Sequence, residues 1–308
     1  MRRNLPNLRV SCSLVLLVFA IAAGPVHMQA ANELEQNLRS QYGDKTLVLR
    51  NFYQTDRFTY DSHGVVLGSA VLGDWTVDGF VRVTSVSLSG ERLTIRGERL
   101  TLSNGGQSFQ LWHGGEKKRD KKNRKLRIEV EFRPDGLSVE GANAALARIF
   151  LTSRDRFVEL VPDYWKPCIS AASTGKEKKN YSSCSFPTEF AAIPGIGFGS
   201  EEISQSKIYA PGESIARIGR GITAPKVLMA PTPEFSEEAR SAKYQGVVLL
   251  SLVVDKNGQT RNVRIVRPLG MGLDQKAVEA VTTWRFTPAE KDGEPVAVEM
   301  AAEVNFHL

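Results

Sequence analysis

The longest regular pattern in the sequence is an alternation. Val296, Val298, Met300, Ala302, Val304, Phe306 and Leu308 take turns with Ala297, Glu299, Ala301, Glu303, Asn305 and His307. Thirteen residues of period two predict one long strand with an apolar and a polar face. Such a strand cannot stand alone. Its apolar face needs a cover and its backbone groups need neighbours, so it constrains everything around it.

The preceding residues supply those neighbours. Val247–Val254 is a nearly all-apolar strand, and Asp255-Lys256-Asn257-Gly258 is a hairpin turn. Arg261–Arg267 returns as a second strand, with Val263 and Ile265 on one face and Arg264 on the other, until Pro268 ends it. Thr232–Tyr244 predicts a short helix, acidic early (Glu234, Glu237, Glu238) and basic late (Arg240, Lys243), as the helix dipole prefers. Leu273, Ala277, Val281 and Trp284 mark the stripe of a second helix, with Asp274 as its cap. Beyond it, Phe286 anchors the chain, Pro288 stops further turns, Asp292-Gly293 reverses direction and Pro295 launches the long strand. The predicted fold is α+β: a three-stranded antiparallel sheet packed with two helices over residues 224–308.

Upstream lies a different texture. Residues 31–165 form a separate β-rich domain by pattern. Leu47-Val48-Leu49 opens one strand, and Phe80–Leu88 alternates. Ser85–Gly106 reads as three short strands joined by Ser-Gly-Glu-Arg and Gly-Glu-Arg turns. Leu126–Phe132 is a further strand with Pro134-Asp135-Gly136 as its turn, and Ala142–Phe150 is helical. Residues 162–225 are punctuated by proline and read as loop, so 166–223 is expected to be a clamped lobe and linker. Of the three cysteines Cys12 lies within residues 1–30, and the remaining pair, Cys168 and Cys184, is expected to form the clamping disulfide in an oxidising compartment.

Export is suggested by residues 1–30. Arg2, Arg3 and Arg9 precede the apolar run Leu14–Ala23, and Met28-Gln29-Ala30 offers a small residue before a cut. The segment reads as a signal peptide or a short membrane anchor. Removing it would lower the net charge from +6 to +3, since it carries three arginines and no acids. In an exported chain the basic run Glu116–Arg127 is a solvated loop or a contact for anionic lipid or glycan, and nucleic acid is not expected as a partner. Arg261, Arg264 and Arg267 form a basic stripe, either a solvated face or an anion site. Trp284 and Phe286 belong to the core rather than to a ligand site. His27, His63, His113 and His307 show no metal-ligand spacing, and no Gly-x-Ser-x-Gly elbow is present. Gly195–Gly199 (GIGFG) lacks the flanking strand and helix of a phosphate loop. Neither catalysis, a cofactor nor a metal is expected.

The C-terminal pieces, in order, are PTPEFSEEAR (Pro231–Arg240), YQGVVLLSLVVDKNGQTRNVRIVRPLG (Tyr244–Gly270), LDQKAVEAVTTWRFTPA (Leu273–Ala289), DGEPV (Asp292–Val296) and VNFHL (Val304–Leu308). In order and spacing this segment resembles the TonB C-terminal domain, the periplasmic module of envelope energy transducers. One departure is Phe235-Ser236, where the family often carries Tyr-Pro. The resemblance implies a periplasmic protein, free or anchored in the inner membrane. Its partner would be an outer-membrane TonB-dependent receptor or another envelope protein, with inner-membrane motor proteins if energy is coupled. It further implies strand addition to the last strand, at Val298, Glu299, Met300, Ala301, Ala302, Glu303, Val304 and Asn305. The alternative is a non-energised scaffold or a lipid- or glycan-binding protein that reuses the module.

Overall fold

A computed structural model of the chain describes residues 24–103, 108–111, 125–133, 137–174, 184, 186, 190, 193, 214–219 and 221–308. The apolar run Leu14–Ala23, the turn Pro134–Gly136, the GIGFG stretch and most of the basic run lie outside these residues. The first described element is a helix, α1 (Gly24–Tyr42), which runs through the expected cut after Ala30. Leu34 and Leu38 bury one side of it. No described helix is long and apolar enough to cross a membrane.

The β-rich part follows as β1 (Thr46–Val48), β2 (Arg57–Asp61), β3 (Val66–Leu67), α2 (Trp75–Asp78), β4 (Phe80–Ser89), β5 (Arg92–Ser103), β6 (Ser108–Leu111) and β7 (Lys125–Glu131). After it come α3 (Val139–Ile149), α4 (Phe157–Leu160) and α5 (Lys166–Thr174). The sheet order is β1-β4-β5-β7-β2-β3, with β6 also on β5. The β2–β7 pair is parallel and the other pairs are antiparallel. Of this predicted stretch, the described residues Ser85–Ser103 hold two strands and not three. The first turn is real, but β5 continues unbroken through Gly97-Glu98-Arg99. Gly97 serves a close approach instead of a turn, because a Cβ there would collide with Val81 and the Arg82 carbonyl of β4. The region read as loop after residue 162 also contains α5.

The sheet buries both faces. On one, Val81, Val83, Ile95, Ile128 and Val130 pack with Leu34 and Leu38 of α1 and with Ala145, Leu146 and Ile149 of α3. On the other, Phe80, Leu100 and Leu102 join Trp75, Phe157, Trp165 and Ile169. That second cluster does not stop at the β-rich part. It continues through Cys168, Cys184 and Phe190 into Val248, Leu250, Ile265, Val281 and Phe306. The C-terminal segment is thus seated on the sheet by a continuous core.

This segment comprises β8 (Ala216–Arg217), β9 (Lys226–Met229), α6 (Glu237–Ser241), β10 (Gly246–Val254), β11 (Thr260–Arg267), α7 (Leu273–Thr283), β12 (Arg285–Thr287), β13 (Ala289–Lys291), β14 (Glu294–Val296) and β15 (Val298–Phe306). The class is α+β as expected. The sheet order β11-β10-β15-β8 adds a fourth, two-residue strand to the three foreseen, and β9–β12 and β13–β14 form two small ribbons. The turn after β10 is held by Asp255, whose Oδ1 accepts from Asn257 N at 2.8 Å and Gln259 N at 2.9 Å.

Several local expectations are corrected here. The first helix is only α6, capped by the Ser236 hydroxyl and ended by Lys243 in the left-handed region. The long strand starts at Val298, because Glu294–Val296 pairs back on Ala289–Lys291 around Asp292-Gly293. Ala297, assigned to the polar face, is buried at that break, and Leu308 is exposed. Arg264 is buried and leaves the basic stripe. A bulge at Asn262 (φ 49°) shifts the alternation, so Arg261 opposes Val253 while Arg264 opposes Ser251. Asp274 does not cap α7. Gly272 holds that position at φ 75°, and Asp274 sits in the first turn instead.

Candidate docking edge

Strand β15 pairs along its whole length with β10, from Val298↔Val254 to Phe306↔Gly246, without a shift. Its other edge pairs only at Val298 and Glu299 among the described residues, with Ala216 and Arg217 of β8 in parallel. Ala216 N donates to the Ala297 carbonyl at 2.8 Å, which fixes which backbone groups face that edge. Both groups of one residue point to the same side and alternate along a strand. Ala297, Glu299, Ala301, Glu303 and Asn305 therefore turn N–H and C=O away from β10. Val298, Met300, Ala302 and Val304 give theirs to the β10 ladder.

The candidate residues accordingly divide into two sets. Val298, Ala302 and Val304 are buried and Met300 is half-buried against the core. Ala301, Glu303 and Asn305 are exposed, so both their side chains and their backbone groups are accessible. Glu299 is half-buried and accepts from the Ser251 hydroxyl at 2.8 Å. The opposite edge of the sheet is covered. Ile265 N of β11 donates to the Tyr164 carbonyl at 3.0 Å, and Cys184 Sγ lies 3.0 Å from the Val266 carbonyl. Cys184 is joined to Cys168 by the expected disulfide. Among the described residues, the sheet thus hides one edge under a stapled lobe and leaves most of the other open. Open edges are usually blunted in soluble proteins.

Trp284 and Phe286 stand at the corner before this strand. Phe286 is buried, while Trp284 is half-buried and donates from Nε1 to the Pro231 carbonyl at 3.3 Å. Arg285 is exposed, and its main chain belongs to the β9–β12 ribbon.

Sequence reasoning missed a second feature. A groove of about 480 Å3 opens where α2 meets α6, lined among others by Asp74, Asp78, Glu234, Glu237, Glu238 and Lys276. Asp78 pairs with Arg99 at 3.1 Å, and Arg99 also donates to the carbonyls of Asp78, Tyr53 and Thr55. Burial pushes the Asp78 carboxyl up to about 7, against the pull of Arg99 and with a push from Glu238 and Asp74. Burial likewise pushes up Asp274, to about 7, although its carboxylate accepts from Leu269 N at 2.7 Å and Gly270 N at 2.8 Å. No signal in the sequence pairs Asp78 with Arg99, since the two acquire each other only through the β4–β5 hairpin.

These acids give a pH dependence with a definite sign. Both bind protons in the folded chain at values where an unfolded aspartate, near 3.8, has released them. Their contribution to stability is full below that value and is lost as pH rises through about 7. The urea midpoint is therefore expected to fall between about pH 5 and about pH 8. A midpoint that rises over this range would contradict the assignment.

Residues 231–308 match the family model for the Gram-negative bacterial TonB protein C-terminal. They are a TonB C-terminal domain. Over 77 residues the chain is 31% identical to Protein TonB of Vibrio cholerae serotype O1, covering 25% of this chain and 32% of that protein. Protein TonB of Xanthomonas campestris pv. campestris (strain B100) is 32% identical over 77 residues, covering 25% of this chain and 34% of the relative. The chain thus spans about a third of the length of these relatives. A solution NMR structure of the Pseudomonas aeruginosa TonB CTD aligns at 20% identity and a TM-score of 0.25, covering 30% of this chain and 90% of that one. Within the TonB C-terminal domain, β15 is the last strand and carries the open edge.

Proposed function

We propose that the protein docks an extended segment of an outer-membrane TonB-dependent receptor, or of another envelope protein, by strand addition to β15. The observation that carries this reading is the asymmetry of the sheet, whose β11 edge is covered while Ala301, Glu303 and Asn305 face outward with no strand beside them among the described residues. Three residues offer six backbone groups, each bond contributing about 0.5–1.5 kcal/mol net. Main-chain bonds hold the partner, and the exposed Glu303 favours a basic residue opposite it. Residues 224–308 act as the docking module, 166–223 as a disulfide-clamped lobe and linker, and 31–165 as the carrier. The disulfide and the TonB C-terminal domain are both in keeping with the periplasm.

The continuous core favours docking without energy coupling as a second reading. Here the module rests on its own β-rich carrier instead of hanging from a long stalk.

Glu303→Pro tests the edge. It deletes one outward N–H and leaves the β10 ladder untouched, as an edge proline can. Proline at Met300 would instead break that ladder. Binding of synthetic peptides from the N-terminal segments of TonB-dependent receptors should weaken at least about tenfold, roughly the loss of one or two ladder bonds. The urea midpoint should barely move. A folded variant with undiminished affinity would falsify the docking edge.

A further inference from the structure

The open edge is not wholly open. Ala216 and Arg217 already pair with Val298 and Glu299, the first two residues of β15. They belong to a strap that the TonB C-terminal domain match, starting at residue 231, does not include. After Arg217 the chain turns off the edge at Gly219, where φ is 113°. Ile222 then bridges to Lys291 of β13. Thr223 N donates to the Glu290 carbonyl at 2.9 Å, while Glu290 N donates to the Thr223 hydroxyl at 2.9 Å. Finally β9 pairs with β12. The strap is therefore tied down at both ends and in the middle, by ladder bonds rather than by side-chain packing alone.

Its position on the edge has a direct consequence for a partner. Five residues turn their backbone groups to this side, Ala297, Glu299, Ala301, Glu303 and Asn305, and the strap covers the first two. We infer that β8 is a resident strand on the docking edge, a self-supplied competitor that limits an incoming segment to Ala301–Asn305 unless it is displaced. The inference rests on the docking reading and deepens it, because it fixes the length and end-point of the segment that fits. A parallel partner must begin beside Met300, where the strap departs. An antiparallel partner must end there. Arg217 is exposed at that junction and stands opposite Glu299 in the register, so the last strap residue before the free stretch carries a cation. A segment that pairs with β15 past Met300 toward Ala297 must peel the strap away, which makes the edge selective by the length that can be paired as well as by sequence.

Ala216→Pro removes the N–H that bonds the Ala297 carbonyl, and it sits on the strap, outside the module's core ladder. Two readouts separate this inference from the docking reading. The first needs no partner. In the unmodified protein the Glu299 amide should resist hydrogen exchange while those of Ala301, Glu303 and Asn305 exchange quickly. In Ala216→Pro, Glu299 should become as fast as they are, with Met300, Ala302 and Val304 still protected. The second readout uses capped peptides of alternating Thr and Val, five and nine residues long, each with one Lys placed to meet Glu303. Ala216→Pro should raise the affinity of the nine-residue peptide about tenfold, the effect of a few recovered ladder bonds, and change the five-residue peptide by less than about twofold. Thr223→Val, which loosens the middle of the strap, should move both readouts in the same direction by less. Equal gains for both peptides, or a Glu299 amide that is already fast in the unmodified protein, would overturn the resident strand and leave the docking edge standing. No binding of either peptide to any variant would sink the docking edge, and with it the competition.

Discussion

Replacing Cys168 and Cys184 by serine should lower stability by about 3 kcal/mol, the chain-entropy value for a loop of this size. The two cysteines are 16 residues apart and both are buried. The loss should not be spread evenly. The lobe held by the disulfide covers the β11 edge, where the Tyr164 carbonyl receives Ile265 N. The Ile265 amide should therefore lose exchange protection in the double serine variant, while the β10–β15 ladder keeps it. Urea unfolding with and without reductant measures the first effect, and exchange measured by NMR the second. A shift below about 1 kcal/mol with an unchanged Ile265 amide would show that the lobe closes without its staple.

Trp75→Ala should cost more, about 3–5 kcal/mol, as for other large aromatic truncations in cores. Trp75 is 2% exposed and belongs to the core cluster that joins the sheet to the lobe. Its ring lies 4.8 Å from Trp165, 5.1 Å from Phe157 and 6.0 Å from Phe80, all edge-on. Its indole N–H has no acceptor among the described residues. Trp75→Phe gives up volume but no hydrogen bond, so it should cost less than half as much. Since total stabilities run to about 5–15 kcal/mol, the alanine variant should unfold at ordinary temperatures or in mild denaturant. A small change in midpoint for the alanine variant would mean that this aromatic cluster is not the joint between the two halves.

The elements that could be read from the sequence are those whose signal is local. The β15 alternation, the Asp255–Gly258 turn and the Leu273-Ala277-Val281 stripe each carry their own period or turn chemistry, and all three stand in the structure. Gly97 was misread because a glycine for close approach and a glycine for a turn look alike until the neighbouring strand is known. Asp274 was misplaced by two positions for a similar reason. Its carboxylate serves Leu269 and Gly270, and a left-handed glycine needs no side-chain cap. Arg264 was hidden by a bulge that no composition announces. The docking residues were found as a strand, but which of them face the free edge depended on one hydrogen bond from Ala216, in a stretch without any pattern. The groove was invisible altogether, since it is made where α2 and α6 come together.

The seat of the C-terminal domain also bears on how such a chain is inherited. Gly272 N donates to the Thr76 hydroxyl across 196 residues of sequence, Met271 N donates to the Leu102 carbonyl, and Gly270 is moulded against Leu102 and Ser103. A module that hangs on a stalk can be exchanged by recombination as a cassette. This one has become a fitted part. Any replacement drawn from a relative would need a glycine at 270 and a matching partner surface on β5, so the two halves are expected to accumulate substitutions together and to be passed on as one piece.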